Sequence, residues 1–232
     1  MKIKLSVLFL LLNILNCQEP NNNEKNIILD PIILSMDKYA DSLLLDSKIN
    51  SVSIGIYKDG QEYIGHYGEL DEGKKNKPTN NTIYEIASVS KTFAGTLIAQ
   101  AELDGKLNLD DDVRKFLDED YPNLEYQNQP IKIRHLISHT SRLPKFLPES
   151  LNALFTNIDE SLPFKIYEIE KDYNKQKFFA DLHSVMIDTI PGTIYEYSNV
   201  DTELIAHILE KTYKKEYEEL LKEYIFDIAQ MP

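Results

Sequence analysis

Apolar and polar residues alternate through Ser51-Val52-Ser53-Ile54-Gly55-Ile56-Tyr57, and the alternation breaks at Lys58-Asp59-Gly60-Gln61. A period of two is that of a half-buried strand. Asp-Gly between two such runs is the composition of a tight hairpin turn. Tyr63-Ile64-Gly65-His66-Tyr67-Gly68 supplies the return strand. Two strands alone make a marginal sheet, so whatever this chain folds into must cover the hairpin with something else. Ahead of it, Ile33, Leu34, Tyr39, Leu43 and Leu44 are spaced for a helix over Ile32 to Leu45 packed by one face.

From Ser88 onward the period changes to that of helices. Phe93, Leu97 and Ala101 recur every four residues with Ile98 alongside, and Gly105 closes the run as a C′ glycine does. Asp110 is placed to cap a short helix over Asp112 to Leu117. Ile133 to Ser138 reads as another short helix, 146–183 as short helices and long loops, and Asn199 to Lys211 as a long helix with Leu204, Ile205, Ile208 and Leu209 on one face. The chain of 232 residues is long enough to bury a core, and 42% apolar content is that of a globular protein. A net charge of −13 with no Lys/Arg stripe argues against a nucleic-acid partner.

The first residues have a different character. Lys2 and Lys4 precede an apolar run, Leu5 to Leu15, that is too short to span a bilayer and right for a signal peptide. Cys17, the single cysteine, ends it, so a disulfide framework is impossible. A lone Cys there resembles the lipobox of bacterial lipoproteins, although Asn16 replaces the usual small residue. The expectation is a leader over 1–17, a polar tether over 18–29 and one domain from 30 to 232. The protein is then exported to the periplasm or held on a membrane facing the cell envelope through a lipidated Cys17.

Chemistry enters with Ser88-Val89-Ser90-Lys91. A serine hydroxyl needs a neighbouring base and a place for negative charge to develop. Residues at i and i+3 share a helix face, so the Lys91 amine reaches Ser88. If Ser88 begins a helix, the positive end of the helix lies under it and backbone N–H groups face an oxyanion. S-x-x-K alone is weak, since about one match is expected in a chain of this size. Ser35-Met36-Asp37-Lys38 also fits, and reads as a surface pair on an amphipathic helix.

The surroundings distinguish the Ser88 copy. Tyr84 to Phe93 resembles the nucleophile segment of the serine β-lactamase and penicillin-binding-protein-like superfamily, nearest its class C β-lactamase-related branch. Gly105 to Asp111, Ile133-Arg134-His135-Leu136-Ile137-Ser138-His139-Thr140-Ser141, Pro191 to Asn199 and Ile225-Phe226-Asp227 are similar to further family segments in the right order. The resemblance implies an α/β (α+β) fold of the β-lactamase/transpeptidase type, with a helical subdomain and an antiparallel sheet. It also implies acyl transfer from an amide, β-lactam or ester carbonyl to Ser88, with Lys91 and Tyr197 as proton-handling partners, and Asn199 bonded to Lys91 and the substrate. No metal or organic cofactor is implied. Tyr121-Pro122-Asn123 and Tyr126-Gln127-Asn128 also match Y-x-N but lie in a polar loop. His135 and His139, four apart, form a rival zinc constellation that lacks a third ligand and the catalytic Glu.

Two departures from the family stand out. Arg142 occupies a position where the family has Gly, which costs about 1–2 kcal/mol if the backbone is left-handed there. The family's third motif, a Lys-Thr-Gly or His-x-Gly triplet, cannot follow Tyr197, because the last glycine is Gly192. The chain therefore reads as C-terminally truncated, with only the first two strands of the sheet and half of an oxyanion hole. The competing expectation is an inactive relative that binds cell-wall fragments or does nothing.

Overall fold

The computed structural model describes residues 30–231. The expected leader, Cys17 and the tether lie outside this range. The described chain forms two compact units, one ending at Tyr84 and the other beginning at Glu85.

The first unit is a helix on a hairpin. Helix α1 (Pro31–Leu43) starts with Asp30 accepting a hydrogen bond from the Ile32 N–H at 2.8 Å and with Pro31 in its first turn, both standard helix starters. Strands β1 (Ser51–Lys58) and β2 (Gln61–Gly68) pair antiparallel from Ser51↔Gly68 to Lys58↔Gln61. Asp59 and Gly60 both have positive φ, 52° and 81°, the requirement of the two-residue turn whose twist matches the strands. The hydroxyls of Tyr63 and Tyr67 donate to Asp30 and Asp37 of the α1 segment at 3.2 and 2.8 Å, locking β2 to it. The face of α1 differs from expectation. Met36 and Ala40 are buried, while Leu34, Tyr39 and Leu43 are exposed. In the second S-x-x-K match, the Ser35 hydroxyl donates to the Pro31 carbonyl of its own helix, and both Ser35 and Lys38 are exposed.

The second unit is mainly helical. A 3₁₀ turn, Ala87–Val89, runs into helix α2 (Ser90–Leu103). Ser88 thus lies in the turn before the helix rather than beginning it. α2 ends in a Schellman motif: Gly105 (φ 66°) donates to the Glu102 carbonyl and Lys106 to the Ala101 carbonyl, each at 3.0 Å. The following 3₁₀ turn, Val113–Phe116, is capped by Asp112, whose carboxylate accepts from the Arg114 N–H. Asp110 does not cap it; Lys132 and Arg134 hold that side chain. A minimal hairpin, β3 (Glu125–Tyr126) and β4 (Gln129–Pro130), turns on Gln127 and Asn128 at positive φ, so the second stray Y-x-N is a turn. The first is structural too. Tyr121 is 2% exposed, and the Asn123 amide donates to the Leu182 and Val185 carbonyls.

Helix α3 (Ile133–Ile137) follows, and α4 (Ser150–Leu154), α5 (Leu162–Glu170) and α6 (Lys175–Leu182) fill the stretch that sequence patterning leaves unordered. The long helix is α7 (Asn199–Tyr213); after it come α8 (Tyr217–Leu221) and a π turn over Lys222–Phe226. The core joins Ala94, Leu97, Ile98 and Ala101 of α2 with Val200, Leu204, Ile205 and Ile208 of α7 and with Ile133 and Leu136 of α3. Phe93 meets the Phe226 ring edge-on at 6.0 Å. The architecture is the expected mixture of helices with small antiparallel sheets.

Arg142 does have positive φ, 70°, as a glycine position would. Its guanidinium offsets this by pairing with Asp188 at 2.9 and 3.0 Å and with Glu196. The two effects are separable. Arg142→Ala loses the ion pairs and keeps the strain, whereas Arg142→Gly loses the same pairs and sheds about 1 kcal/mol of strain. Thermal unfolding is expected to rank wild type above Gly above Ala; an Ala variant as stable as the Gly variant contradicts this account.

Candidate active site

Three segments of the second unit converge: the turn at Ala87–Val89 with the start of α2, the loop 139–145, and the segment 191–199 that enters α7. The last two are stitched together by the backbone. Gly192 N–H donates to the Thr140 carbonyl and Glu196 N–H to the His139 carbonyl, both at 2.8 Å, and Asn199 N–H donates to the Lys145 carbonyl at 2.9 Å. Ser198 adds a side-chain clasp. Its hydroxyl donates to the Pro144 carbonyl at 2.6 Å and caps α7 by accepting from the Asp201 N–H. Gly192 (φ 94°) is required twice over, since a Cβ there would meet the His135 ring nitrogen at 2.9 Å.

This stitching brings together the four residues named from sequence. The Ser88 and Tyr197 hydroxyls are 2.7 Å apart, 109 positions apart in the chain. The Lys91 ammonium donates to the Asn199 side-chain oxygen at 2.8 Å and lies 3.4 Å from the Ser88 oxygen. It also lies over the Tyr197 ring, 5.4 Å from the centroid. Burial pushes the Tyr197 phenol up. The hydrogen bonds from Ser88 and Lys91, with the charges of Lys91 and Lys145, outweigh it and hold the phenol below its ordinary value. The Ser88 hydroxyl is exposed and opens on a cavity of about 700 Å³ whose wall includes Lys91, Phe146, Phe155, Asn199 and Glu203. Ala87, the residue before Ser88, has φ 45°. A non-glycine residue held there is strained, and such strain persists only where the surroundings enforce it.

The two histidines do different work. The His135 ring accepts the Lys132 N–H at 3.1 Å and packs on Gly192. His139 meets Asp201, which is fully buried: the ring nitrogen Nδ1 lies 2.9 Å from one carboxyl oxygen, and the Ser141 hydroxyl donates to the other at 2.5 Å. Burial pushes the Asp201 carboxyl up to about 8, against which the Ser141 bond acts, and burial with the Lys91 charge pushes His139 down. A protonated Asp201 donating to a neutral His139 satisfies both, and the Ser198 N–H at 3.4 Å marks Nδ1 as an acceptor. Asp201 had no sequence signal beyond its place in the first turn of α7. Among the described residues, no group of three or more His, Cys, Asp or Glu side chains gathers as a metal site.

Comparison with known proteins matches this geometry to a family. The sequence family described as "Beta-lactamase" covers residues 36–232. "Protein flp" of Staphylococcus aureus strain N315 is 33% identical over 183 residues, 78% of this chain and 34% of that protein. "Beta-lactamase" of Psychrobacter immobilis is 38% identical over 88 residues, 38% of this chain and 22% of its own. The chain thus spans about a third or less of the length of these relatives. A "Beta-lactamase/D-alanine Carboxypeptidase from Yersinia pestis" complexed with citrate superposes with a TM-score of 0.71 at 23% identity, covering 87% of this chain and 55% of that one. A class C β-lactamase in complex with cefoxitin gives 0.67 at 27%, covering 86% and 50%.

The Asp201 cluster makes a stability prediction. Asp201→Asn keeps a donor toward His139 and an acceptor for Ser141, and is expected to fold within about 1 kcal/mol of wild type. Asp201→Ala leaves both partners unsatisfied and costs roughly 1–3 kcal/mol. A carboxyl raised from 3.8 to about 8 on folding contributes stability that is full below 3.8 and is lost as pH rises through about 8. Denaturant unfolding over that range is expected to lose this slope in the Asn variant. An unchanged slope there rules out a neutral Asp201.

Proposed function

The chain belongs to the beta-lactamase family, and on that premise we propose that it is a serine hydrolase with Ser88 as the nucleophile. Tyr197, with its phenol held down by neighbouring cations, takes the Ser88 proton as the Ser88 oxygen bonds to an amide, β-lactam or ester carbonyl carbon. The tetrahedral intermediate collapses with cleavage of the carbon–nitrogen or carbon–oxygen bond, and the same proton passes to the leaving group. Water then attacks the acyl ester, gives a proton back through Tyr197 and restores the Ser88 hydroxyl. Lys91 stabilises the phenolate and is itself oriented by Asn199. The observation that carries the reading is the 2.7 Å contact between the Ser88 and Tyr197 hydroxyls beside a Lys91 ammonium fixed by Asn199. The similar proteins, a β-lactamase/D-alanine carboxypeptidase, a class C β-lactamase that binds cefoxitin and a β-lactamase, support amide and lactam carbonyls as substrates.

Intact-mass measurement after incubation with a chromogenic cephalosporin or a p-nitrophenyl ester is expected to find one acyl group, on Ser88. Ser88→Ala is expected to take up none. Tyr197→Phe is expected to slow acylation by about a hundredfold or more with unfolding unchanged. Acylation that survives Ser88→Ala defeats the assignment.

We further propose that the protein works outside the cytoplasm, tethered by lipid on Cys17. The apolar run Leu5 to Leu15 with its basic flank supports this. Metabolic labelling with a fatty acid is expected to mark the wild type and not Cys17→Ala; equal labelling of both refutes the anchor.

A further inference from the structure

His207, in the middle of α7, takes no part in the chemistry at Ser88. It is 6% exposed, and neither ring nitrogen has a hydrogen-bond partner among the described residues. Burial, with the charges of Lys175 and Lys211, pushes the ring down to about 4. The imidazole is therefore neutral near pH 7 and carries one N–H and one bare nitrogen. Leaving a buried donor and a buried acceptor unmet is costly, and a leucine or phenylalanine would fill the same place without that cost.

His207 borders a cavity of about 540 Å³, a size common for small-molecule sites, which shares no lining residue with the cavity in front of Ser88. Its floor is the buried pair Tyr121 and His207 with the half-buried Phe179, whose ring meets Tyr121 at 6.2 Å and His207 at 4.6 Å, edge-on to both. His183 stacks on one face of Tyr121 at 3.9 Å, so the apolar surface left to a ligand is that of Phe179 and Ala180. The charges in the wall are already matched. Asp118 pairs with Lys211, Lys175 with Glu210 at 2.8 Å, and Glu119 with the His183 ring at 3.0 Å. What the wall leaves unmet is hydrogen bonding at His207. The ring nitrogens are enclosed, and Lys175 borders this cavity and two further hollows that His207 borders. The Lys175 side chain is 60% exposed, so turning it aside to uncover a nitrogen weakens binding by at most about fivefold.

We infer that this cavity is a second ligand site, taking an uncharged aromatic alcohol whose ring packs on Phe179 and Ala180 and whose hydroxyl bonds to a His207 nitrogen. A hydroxyl both donates and accepts, so it meets the imidazole in either tautomer, whereas a carboxylate only accepts and an ammonium only donates. A carboxylate would also lie beside Asp118 and Glu119, and an ammonium beside Lys175. An aromatic body adds an edge-to-face contact with Phe179 that an alkyl body lacks. The site does not depend on Ser88, and binding there makes and breaks no covalent bond.

The test titrates the full chain with phenol and toluene, which differ by the hydroxyl, and with benzoate and benzylamine, which carry a charge in its place. Affinity is read from the probes' own NMR signals. The place of binding is read from the His207 imidazole resonance, assigned among the five histidines through its contact with Phe179. Phenol is expected to shift that resonance saturably and to bind at least about fivefold tighter than the other three probes, the size of one neutral hydrogen bond. In His207→Phe the ratio of phenol to toluene affinity is expected to fall to about one. Ala180→Leu narrows the cavity at an exposed position and is expected to weaken phenol severalfold with the fold intact, which keeps the site testable if His207→Phe does not fold. Equal binding of phenol and toluene by the wild type, tighter binding of a charged probe, or a His207 resonance that phenol leaves unmoved overturns the inference. So does a preference that survives His207→Phe, or phenol affinity unchanged in Ala180→Leu. None of these outcomes bears on Ser88, whose acylation is measured separately.

Discussion

The arrangement around Ser88 depends on one buried carboxyl. Asp201 sits in the first turn of α7, fully enclosed, and holds Ser141 by one oxygen and His139 by the other. Those two residues belong to the loop whose backbone carries the segment ahead of α7, and that segment ends in Tyr197. A phenol must sit at hydrogen-bond distance from a hydroxyl, about 2.6–3.2 Å, to exchange a proton with it. Tyr197 lies on an irregular segment, where such precision has no helix or strand to supply it. The cluster supplies it instead, with the Ser198 clasp on Pro144 as a second point of attachment. Burial pushes the carboxyl up to about 8, which disfavours a negative charge behind a phenol that neighbouring cations hold below its ordinary value.

Strain is placed where this framework can enforce it. Ala87, His139 and Arg142 all have positive φ without being glycine. Ala87 adjoins the nucleophile, and the other two bracket the loop that carries Ser141. Each left-handed residue costs of order 1 kcal/mol in isolation. At Arg142 the compensation is visible, because its side chain clamps Asp188 and Glu196, one on each side of the Pro191-Gly192 turn. The arginine thus exchanges the ease of glycine for a cross-link over the same loop.

Much of this was legible in the sequence, and the remainder was hidden for physical reasons. The hairpin, α2 with its glycine stop and α7 announce themselves because each rests on a local signal: a period, a turn dipeptide or a cap. Ser88, Lys91, Tyr197 and Asn199 are found by motif, and folding brings all four together. The buried face of α1 is hidden in the sequence because Met36 and Ala40, the residues that pack, are less conspicuous than the exposed Leu34 and Tyr39. Asp110 and Asp112 are equally good caps on paper, and only the cations at Lys132 and Arg134 decide between them. The hairpin on Gln127-Asn128 lacks the glycine that marks such turns. Asp201 looks like any acid at a helix start; its burial is a property of the loop packed over it and has no local trace.

The same contrast orders the electrostatics of the cavity. On one side of Ser88 the charges are resolved: Lys91 is fixed by Asn199, and with Lys145 it lowers the Tyr197 phenol. On the other side burial pushes the Glu203 carboxyl up to about 7, and the Glu170 charge adds to the shift. Lys91 reaches both sides, since its charge lowers Tyr197 and opposes the rise at Glu203.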